Sequence, residues 1–352
     1  MEEKKFDLKS IIGFVLIFIL LLWVMNNNRP TQEELAKRKA EQEQAAAAKN
    51  PQNNTATAAT ADLGAFAYGN AQATAKDGVT VIENKDVKLT INNKGGDLKE
   101  VLLKQFKTYE SMPVYLIKDK NAIFALNFKT TQGQELNTQQ LYFEPSLTQK
   151  DGKQLLSMKV KTGENSYLEY VYTLPAEGYM VDVAVRSQGL SGVLNTQNPI
   201  ELVWGLKARR MEKSVTYENR YTQSAIRYAD DKINRMSQGG NSGTKEEQVS
   251  WVAYKQHLFT SVLISDSAFA NGDFLSYNIA NEESKDVKYT KNLKSTFPLK
   301  TKGGELSESL HFYFGPSDYN VLKQYNDKYE LTELIPLGWG IFGWLNKWLF
   351  IP

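Results

Sequence analysis

The sequence predicts an all-β main domain, an antiparallel double-sheet sandwich, and three observations carry that expectation. From Val79 onward, short apolar or alternating segments follow one another at fairly even intervals: VTVIE, DVKLTINN, KEVLL, VYLIK, AIFALNF, LLSMKVK, SYLEYVYTL, YMVDVAVRS and IELVWGLK. Between them lie turn-forming clusters such as Asn93-Lys94-Gly95-Gly96-Asp97 and Asp151-Gly152, where Gly supplies the positive φ of a tight turn. No helix-length period separates the strands, so a parallel βαβ sheet is excluded. Within one segment Tyr179, Val181, Val183 and Val185 alternate with Met180, Asp182, Ala184 and Arg186, the signature of a strand with one buried face.

The chain begins with a different chemistry. Ile11 to Met25 carries no polar side chain, and no charge intervenes between Lys9 and Arg29. As a helix rising 1.5 Å per residue this stretch reaches roughly 28 Å, about the thickness of bilayer hydrocarbon. Trp23 to Asn28 offers no small-residue cleavage site, so residues 1–28 read as a retained transmembrane signal anchor and not a cleaved leader. Lys4, Lys5 and Lys9 precede it, and Arg29, Lys37, Arg38 and Lys39 follow; charge alone leaves its orientation nearly balanced. Residues 29–78 read as a linker. Thr31 and Glu34 form a capping-box pattern for a short solvated helix, and 13 of the 34 residues from Ala45 to Gly78 are Ala, a composition that predicts a flexible tether. Asn53-Asn54-Thr55 matches a glycosylation sequon, which in such a tract reads as coincidence.

The sandwich is assigned to residues 79–328. Ser214 to Met236 interrupts it with a Tyr- and Arg-rich stretch that has room for a short helix, after which WVAYKQHLFTSVLIS, FLSYNIA and SESLHFYFG resume the strands. A further short helix is expected after Pro316, capped by Ser317 or Asp318. Residues 329–352 read as a C-terminal amphipathic helix: 13 of the 22 residues from Leu331 to Pro352 are large and apolar. Helical spacing there sets Gly340, Gly343 and Lys347 opposite Leu337, Ile341, Trp344, Leu345 and Trp348. Trp339, Trp344, Trp348 and Lys347 are the candidate membrane-interface residues, because indole rings favour the headgroup boundary.

Composition narrows the function. Across 352 residues there are 42 basic and 40 acidic side chains, which gives no electrostatic reason to expect nucleic acid. The chain has no Cys, so disulfides, thiolate metal sites and Cys nucleophiles are excluded, and its only two His are His257 and His311. Both sit in strand-like sequence and read as structural. Asp230-Asp231 and Glu246-Glu247 read as solvated loop carboxylates, and Lys207, Arg209, Arg210 and Lys213 as a solvated basic cluster. No phosphate loop, nucleophile elbow or metal-ligand spacing is present. The sequence therefore predicts no enzyme, no cofactor and no metal. A membrane-anchored periplasmic carbohydrate-binding or sugar-processing sandwich remains the alternative, on the strength of 18 Tyr, and a ligand-free structural envelope protein is a third reading.

The ordered set of anchor, tether, sandwich and Trp-rich helix resembles the N-terminal region of the YidC-type membrane protein insertases of Gram-negative bacteria. Thr90-Ile91-Asn92-Asn93-Lys94-Gly95-Gly96-Asp97-Leu98 resembles the first strand pair of that family's periplasmic domain. Trp251-Val252-Ala253 through Gln256, Phe259 and Thr260 resembles its central strand. Phe314-Gly315-Pro316, Leu331-Thr332 and Gly338-Trp339 resemble its junction into an interfacial helix. The resemblance implies a β-supersandwich of galactose-mutarotase-like architecture without that fold's chemistry. It also implies an inner-membrane location with the N-terminus cytoplasmic and the main domain periplasmic. The implied partners are the Sec translocon with its accessory subunits, nascent inner-membrane proteins and the lipid bilayer. In that layout five more membrane helices, which form the groove that receives substrate, follow the interfacial helix. The expectation is that these 352 residues are a scaffold and partner-docking fragment without that groove.

Overall fold

The computed structural model describes residues 62–73, 77–236, 240–280 and 286–335. The anchor at 11–25, most of the tether and the Trp-rich segment from 336 lie outside the described residues. Among the described residues no helix is long and apolar enough to cross a membrane.

Two antiparallel sheets account for nearly everything described. The smaller contains β1 (Val79–Glu83), β2 (Val87–Asn92), β3 (Leu98–Lys107) and β4 (Pro113–Ile117), paired in that order. The larger has thirteen strands. One flank holds β5 (Ala122–Lys129), β6 (Glu135–Asn137) and β11 (Ile200–Arg209). The other holds β7 (Glu144–Lys150), β8 (Lys153–Lys161), β9 (Tyr167–Leu174) and β10 (Met180–Gln188). They are joined through β16 (Tyr289–Leu299), β15 (Phe259–Asn278) and β17 (Ser307–Pro316), giving the order β6-β5-β11-β16-β15-β17-β10-β9-β8-β7. A side branch of β14 (Ser242–Lys255), β12 (Gln223–Tyr228) and β13 (Ile233–Arg235) pairs onto β15. The alternation expected around Val181 holds from Val181 to Arg186, with Val181, Val183 and Val185 buried and Asp182, Ala184 and Arg186 more exposed, but Met180, expected on the outer face, is buried as well.

The inner faces of the two sheets share one apolar core. Trp204 of β11 stacks on Tyr254 of β14 at 3.9 Å, and the Tyr254 hydroxyl donates to the Trp204 carbonyl at 2.9 Å. Phe124, Phe312 and Tyr170 continue the aromatic layer. Polar ties lock sheet to sheet. Buried Asn121 accepts from the Lys118 amide at 2.8 Å and donates to the carbonyls of Leu116 (3.0 Å) and Lys207 (2.9 Å), so one side chain joins β4 to β11. The Gly95-Gly96 turn has positive φ at both residues, and a Cβ on Gly96 would lie 3.0 Å from the Tyr170 ring. The Tyr172 hydroxyl donates to the Gly96 carbonyl at 2.8 Å.

Four details differ from the sequence expectation. WVAYKQHLFTSVLIS is two strands and not one: β14 ends at Lys255, β15 starts at Phe259, and they form a hairpin. Ser214–Met236 holds helix α2 (Val215–Tyr221) and also β12 and β13. Packing begins before Val79, because a 3-10 turn (Gly64–Phe66) runs into helix α1 (Ala67–Gln72) against β8. Phe66 is fully buried against Phe128, which offsets the ordering cost that the Ala-rich composition alone would not. Finally, the helix expected after Pro316 forms as α3 (Tyr319–Lys323) with Asp318 as its cap, but the chain from Tyr329 does not begin the expected amphipathic helix: helix α4 (Asn326–Tyr329) ends there, Glu330 is left-handed and a 3-10 turn (Leu331–Leu334) follows.

Candidate functional site

The chemistry-bearing residues gather at two places. The first is where α3, α4 and the 3-10 turn lie back over the large sheet. The chain can reverse there because Glu330 takes the left-handed conformation, φ 51°. Trp251 of β14 donates its indole N–H to the Tyr329 carbonyl at 3.0 Å. Arg227 of β12, only 8% exposed, pairs with Glu330 and with Asp231 at 2.6 Å. Arg235 of β13 donates to the Glu333 carbonyl at 2.6 Å. Thr332 is fixed through both its amide (3.2 Å) and its hydroxyl (2.7 Å) to the Asn326 side chain, and Leu331 and Leu334 are buried. Tyr325 accepts from the Tyr179 amide at 3.0 Å.

His311 belongs to this junction. Its Nδ1 lies 2.8 Å from Asp182 and its Nε2 faces Asp266 at 3.1 Å, while Lys328 of α4 reaches Asp266 at 3.0 Å. Burial pushes Asp266 up, but hydrogen bonds from Lys328 and His311 outweigh it and hold the carboxyl below its ordinary value. A histidine tied on both sides to carboxylates, with Tyr329 against its ring at 5.2 Å, is a structural link between β17 and the C-terminal elements.

The second place is the end of the sandwich formed by the β3–β4 hairpin, the loop after β11, α2 and the β14–β15 turn. Arg210 lies 5.1 Å over the Tyr109 ring, and Lys118 lies 4.0 Å over Tyr115. Asp119 receives both Arg209 and Lys288 at 2.9 Å, and these hydrogen bonds hold it below its ordinary value. Together they border a cleft of about 530 Å³. Below it sits Glu218 of α2, 1% exposed, whose carboxylate accepts from the amides of Met211 and Glu212 and from Gln256 at 3.2 Å. Burial pushes it up to about 7, with Glu212 adding to the rise and the hydrogen bonds opposing it. His257 contacts Glu212 at 2.7 Å and packs against Tyr217 and Tyr221.

Each candidate from the sequence can now be placed. The two His are in separate networks, and each is tied to carboxylate. Asp230 pairs with Lys232, and Asp231 with Arg227. Glu246 is more than a solvated carboxylate: it accepts from Tyr228 (2.7 Å), Asn234 (2.9 Å) and Thr244 (2.5 Å). Of the basic cluster, Lys207 and Lys213 are exposed, while Arg209 and Arg210 pack at the cleft. Trp339, Trp344, Lys347 and Trp348 lie outside the described residues. Among the described residues no group of three or more His, Asp or Glu could hold a metal. Sequence reasoning missed Arg227 and Glu218. Both have partners that burial reveals and local sequence does not, although Ser214 four residues before Glu218 marked the start of its helix.

Comparison with known proteins places these features in context. A family model described as the YidC periplasmic domain matches residues 79–352. Similar curated proteins include a "Membrane protein insertase YidC" of Porphyromonas gingivalis, 32% identical over 282 residues, covering 77% of this chain and 44% of that protein. One of Parabacteroides distasonis is 32% identical over 294 residues, covering 81% of this chain and 45% of that protein. The chain thus spans less than half the length of these relatives. Among solved structures, the periplasmic domain of the Thermotoga maritima YidC aligns with a TM-score of 0.38 and 13% identity, over 72% of this chain and 92% of that one. A galactose mutarotase-like protein from Lactobacillus casei aligns with a TM-score of 0.41 and 13% identity, over 68% and 100%.

Proposed function

Because the chain belongs to the YidC periplasmic-domain family, we propose that it forms the membrane-anchored, periplasmic part of a membrane protein insertase. Its share of the work is scaffolding and partner docking, in support of the insertion and folding of inner-membrane proteins with or without the Sec translocon. On this reading residues 1–28 anchor the chain in the inner membrane with the N-terminus cytoplasmic. Residues 29–61 span from the anchor to the domain, and the segment from residue 336 lies in the membrane interface through Trp339, Trp344, Trp348 and Lys347.

The observation that supports it is the junction just before Pro336. Arg227, Trp251 and Arg235 hold Glu330, Tyr329 and Glu333, so the sandwich fixes the direction in which the chain leaves it. The sugar-processing alternative is not favoured: the named relatives are insertases, and the two His are each hydrogen-bonded to a carboxylate in separate networks.

The test is topological. In a Gram-negative host the chain should stay with the membrane through alkaline carbonate extraction, and the sandwich should become protease-accessible only when the outer membrane is opened. Release by carbonate, or protection in spheroplasts, overturns the proposal. Crosslinkers placed on the sandwich surface should recover Sec translocon subunits; labelling of soluble periplasmic proteins alone would remove the docking role.

A further inference from the structure

We infer that the end of the sandwich carrying Tyr109, Met112, Tyr217 and Leu258 rests on the surface of an anionic lipid bilayer. The inference rests on the membrane-anchored reading above and adds which face meets the lipid. Large apolar side chains are rarely left exposed in a cluster without a use, and Met112 (58% exposed) and Leu258 (52% exposed) are the two most exposed large apolar side chains described. Both are at loop tips, on the β3–β4 hairpin and the β14–β15 turn.

The tips form one surface. The Tyr109 amide donates to the Met211 carbonyl at 3.1 Å, and Glu212, the next residue, contacts His257. Tyr217 packs edge-on against His257 at 5.0 Å, and Leu258 follows directly. Cations border the apolar tips: Lys118, Arg210 and Lys213, with Arg209 and Lys288 behind them. Asp119 is already paired with Arg209 and Lys288, and the other carboxylates of this end are Glu110, Asp286 and Glu212, the last of which meets His257. Apolar tips ringed by Lys and Arg match the headgroup region of an anionic membrane, where short side chains insert and cations meet lipid phosphates.

The chain's own exit orients this face. Arg235, which holds Glu333, pairs with Ala225. Ala225 is two residues from Gln223, the start of β12, hence about 7 Å along the strand. That start follows directly on α2, which carries Tyr217. The patch and the exit toward residue 336 therefore share one end of the sandwich. Ser317, where β17 gives way to α3, donates to the Leu258 carbonyl at 2.8 Å and ties the same turn to the exit elements. An acidic polypeptide would satisfy the cations, but tips that project from two loops and a helix suit a plane better than an extended strand.

The chain has no Cys, so single labels are clean. The full chain is reconstituted in phosphatidylglycerol–phosphatidylethanolamine vesicles with an environment-sensitive fluorophore at Met112→Cys, Leu258→Cys or Lys302→Cys. Lys302 lies in the exposed turn before β17, at the far end of that strand from Pro316. The expected result is a blue shift and loss of most emission to lipid-borne nitroxide at positions 112 and 258 but not at 302. The loss should weaken in high salt, in phosphatidylcholine vesicles and in Lys118→Glu/Lys213→Glu. Equal quenching at all three positions overturns the inference, as does none at 112 and 258 in a chain that floats with the vesicles. A blue shift without quenching means a protein covers the patch, and also overturns it. A chain that does not float at all overturns the anchored reading, and this inference with it.

Discussion

Replacing Glu218 with Gln should flatten the pH dependence of stability between pH 5 and 7. The carboxyl is 1% exposed and burial pushes it up to about 7 from an ordinary 4.5. The folded chain thus holds this proton more tightly than the unfolded chain does. Stabilisation from the neutral carboxyl is complete below the unfolded value and is lost as pH rises through the folded one. Linkage gives a cost of about 1 kcal/mol at pH 5, about 2 at pH 6 and about 3 at pH 7, levelling off above that. Gln can set its carbonyl where Oε2 accepts from both the Met211 and Glu212 amides, and its amide nitrogen then faces the Gln256 donor, a fixed cost that does not vary with pH. The informative quantity is therefore the slope. Burial also raises Asp97 and Glu308, so the parent chain changes with pH for further reasons, and the difference between parent and variant removes them. Urea unfolding of residues 62–335, followed through Trp204 and Trp251, should show the variant gaining about 2 kcal/mol on the parent between pH 5 and 7. Parallel curves would refute the assignment of a strained buried acid at this position.

Three other perturbations follow from the packing. Asn121→Ala strands the Lys118 amide and the Leu116 and Lys207 carbonyls between the sheets and should cost about 2–3 kcal/mol in urea unfolding. Gly69→Ala places a Cβ 2.4 Å from the Lys161 carbonyl oxygen. It should detach α1 from β8 and speed hydrogen exchange at the Tyr142 amide, which donates to Asn70 at 2.7 Å, with little change in the rest of the domain. Arg227→Met removes a buried charge whose Nε makes no hydrogen bond. Global stability should move by less than about 1 kcal/mol, while amides of Leu331–Leu334 exchange faster because Glu330 is released.

How far the sequence reveals this molecule depends on how local each determinant is. The alternation in β10 is written in neighbouring residues, and the Asn93–Asp97 turn in its two Gly; both can be read directly. The β14–β15 turn cannot, because Gln256-His257-Leu258 contains neither Gly nor Pro. Part of what holds the turn is Gln256, which donates to the Arg209 carbonyl at 2.7 Å, 47 positions away. Residues 64–72 are hidden for the opposite reason: composition averages away the one Phe that is buried. Nothing in VTYENRY marks Glu218 as buried, because the Met211 and Glu212 amides that close over it lie outside that stretch. Arg227 finds Glu330 across 103 positions. Partners that distant leave no local pattern for sequence reasoning to follow.

That distance has a mechanical consequence at the junction. Tyr329, Glu330 and Glu333 are held by residues of β14, β12 and β13 respectively, three neighbouring strands. A rotation of the C-terminal elements relative to the sheet would have to break all three links together. Burial of Leu331 and Leu334 adds about 3–6 kcal/mol against peeling the turn away. The links are also chemically unlike: an indole to a carbonyl, a guanidinium to a carboxylate, and a guanidinium to a carbonyl. No single change of salt or pH loosens them all. A flexible hinge at this point would let the sandwich and the following segment turn independently. The observed fixing removes such a hinge from Tyr329 to Leu334, so a partner that docks on the β12–β13 edge acts on the direction the chain has at Leu334.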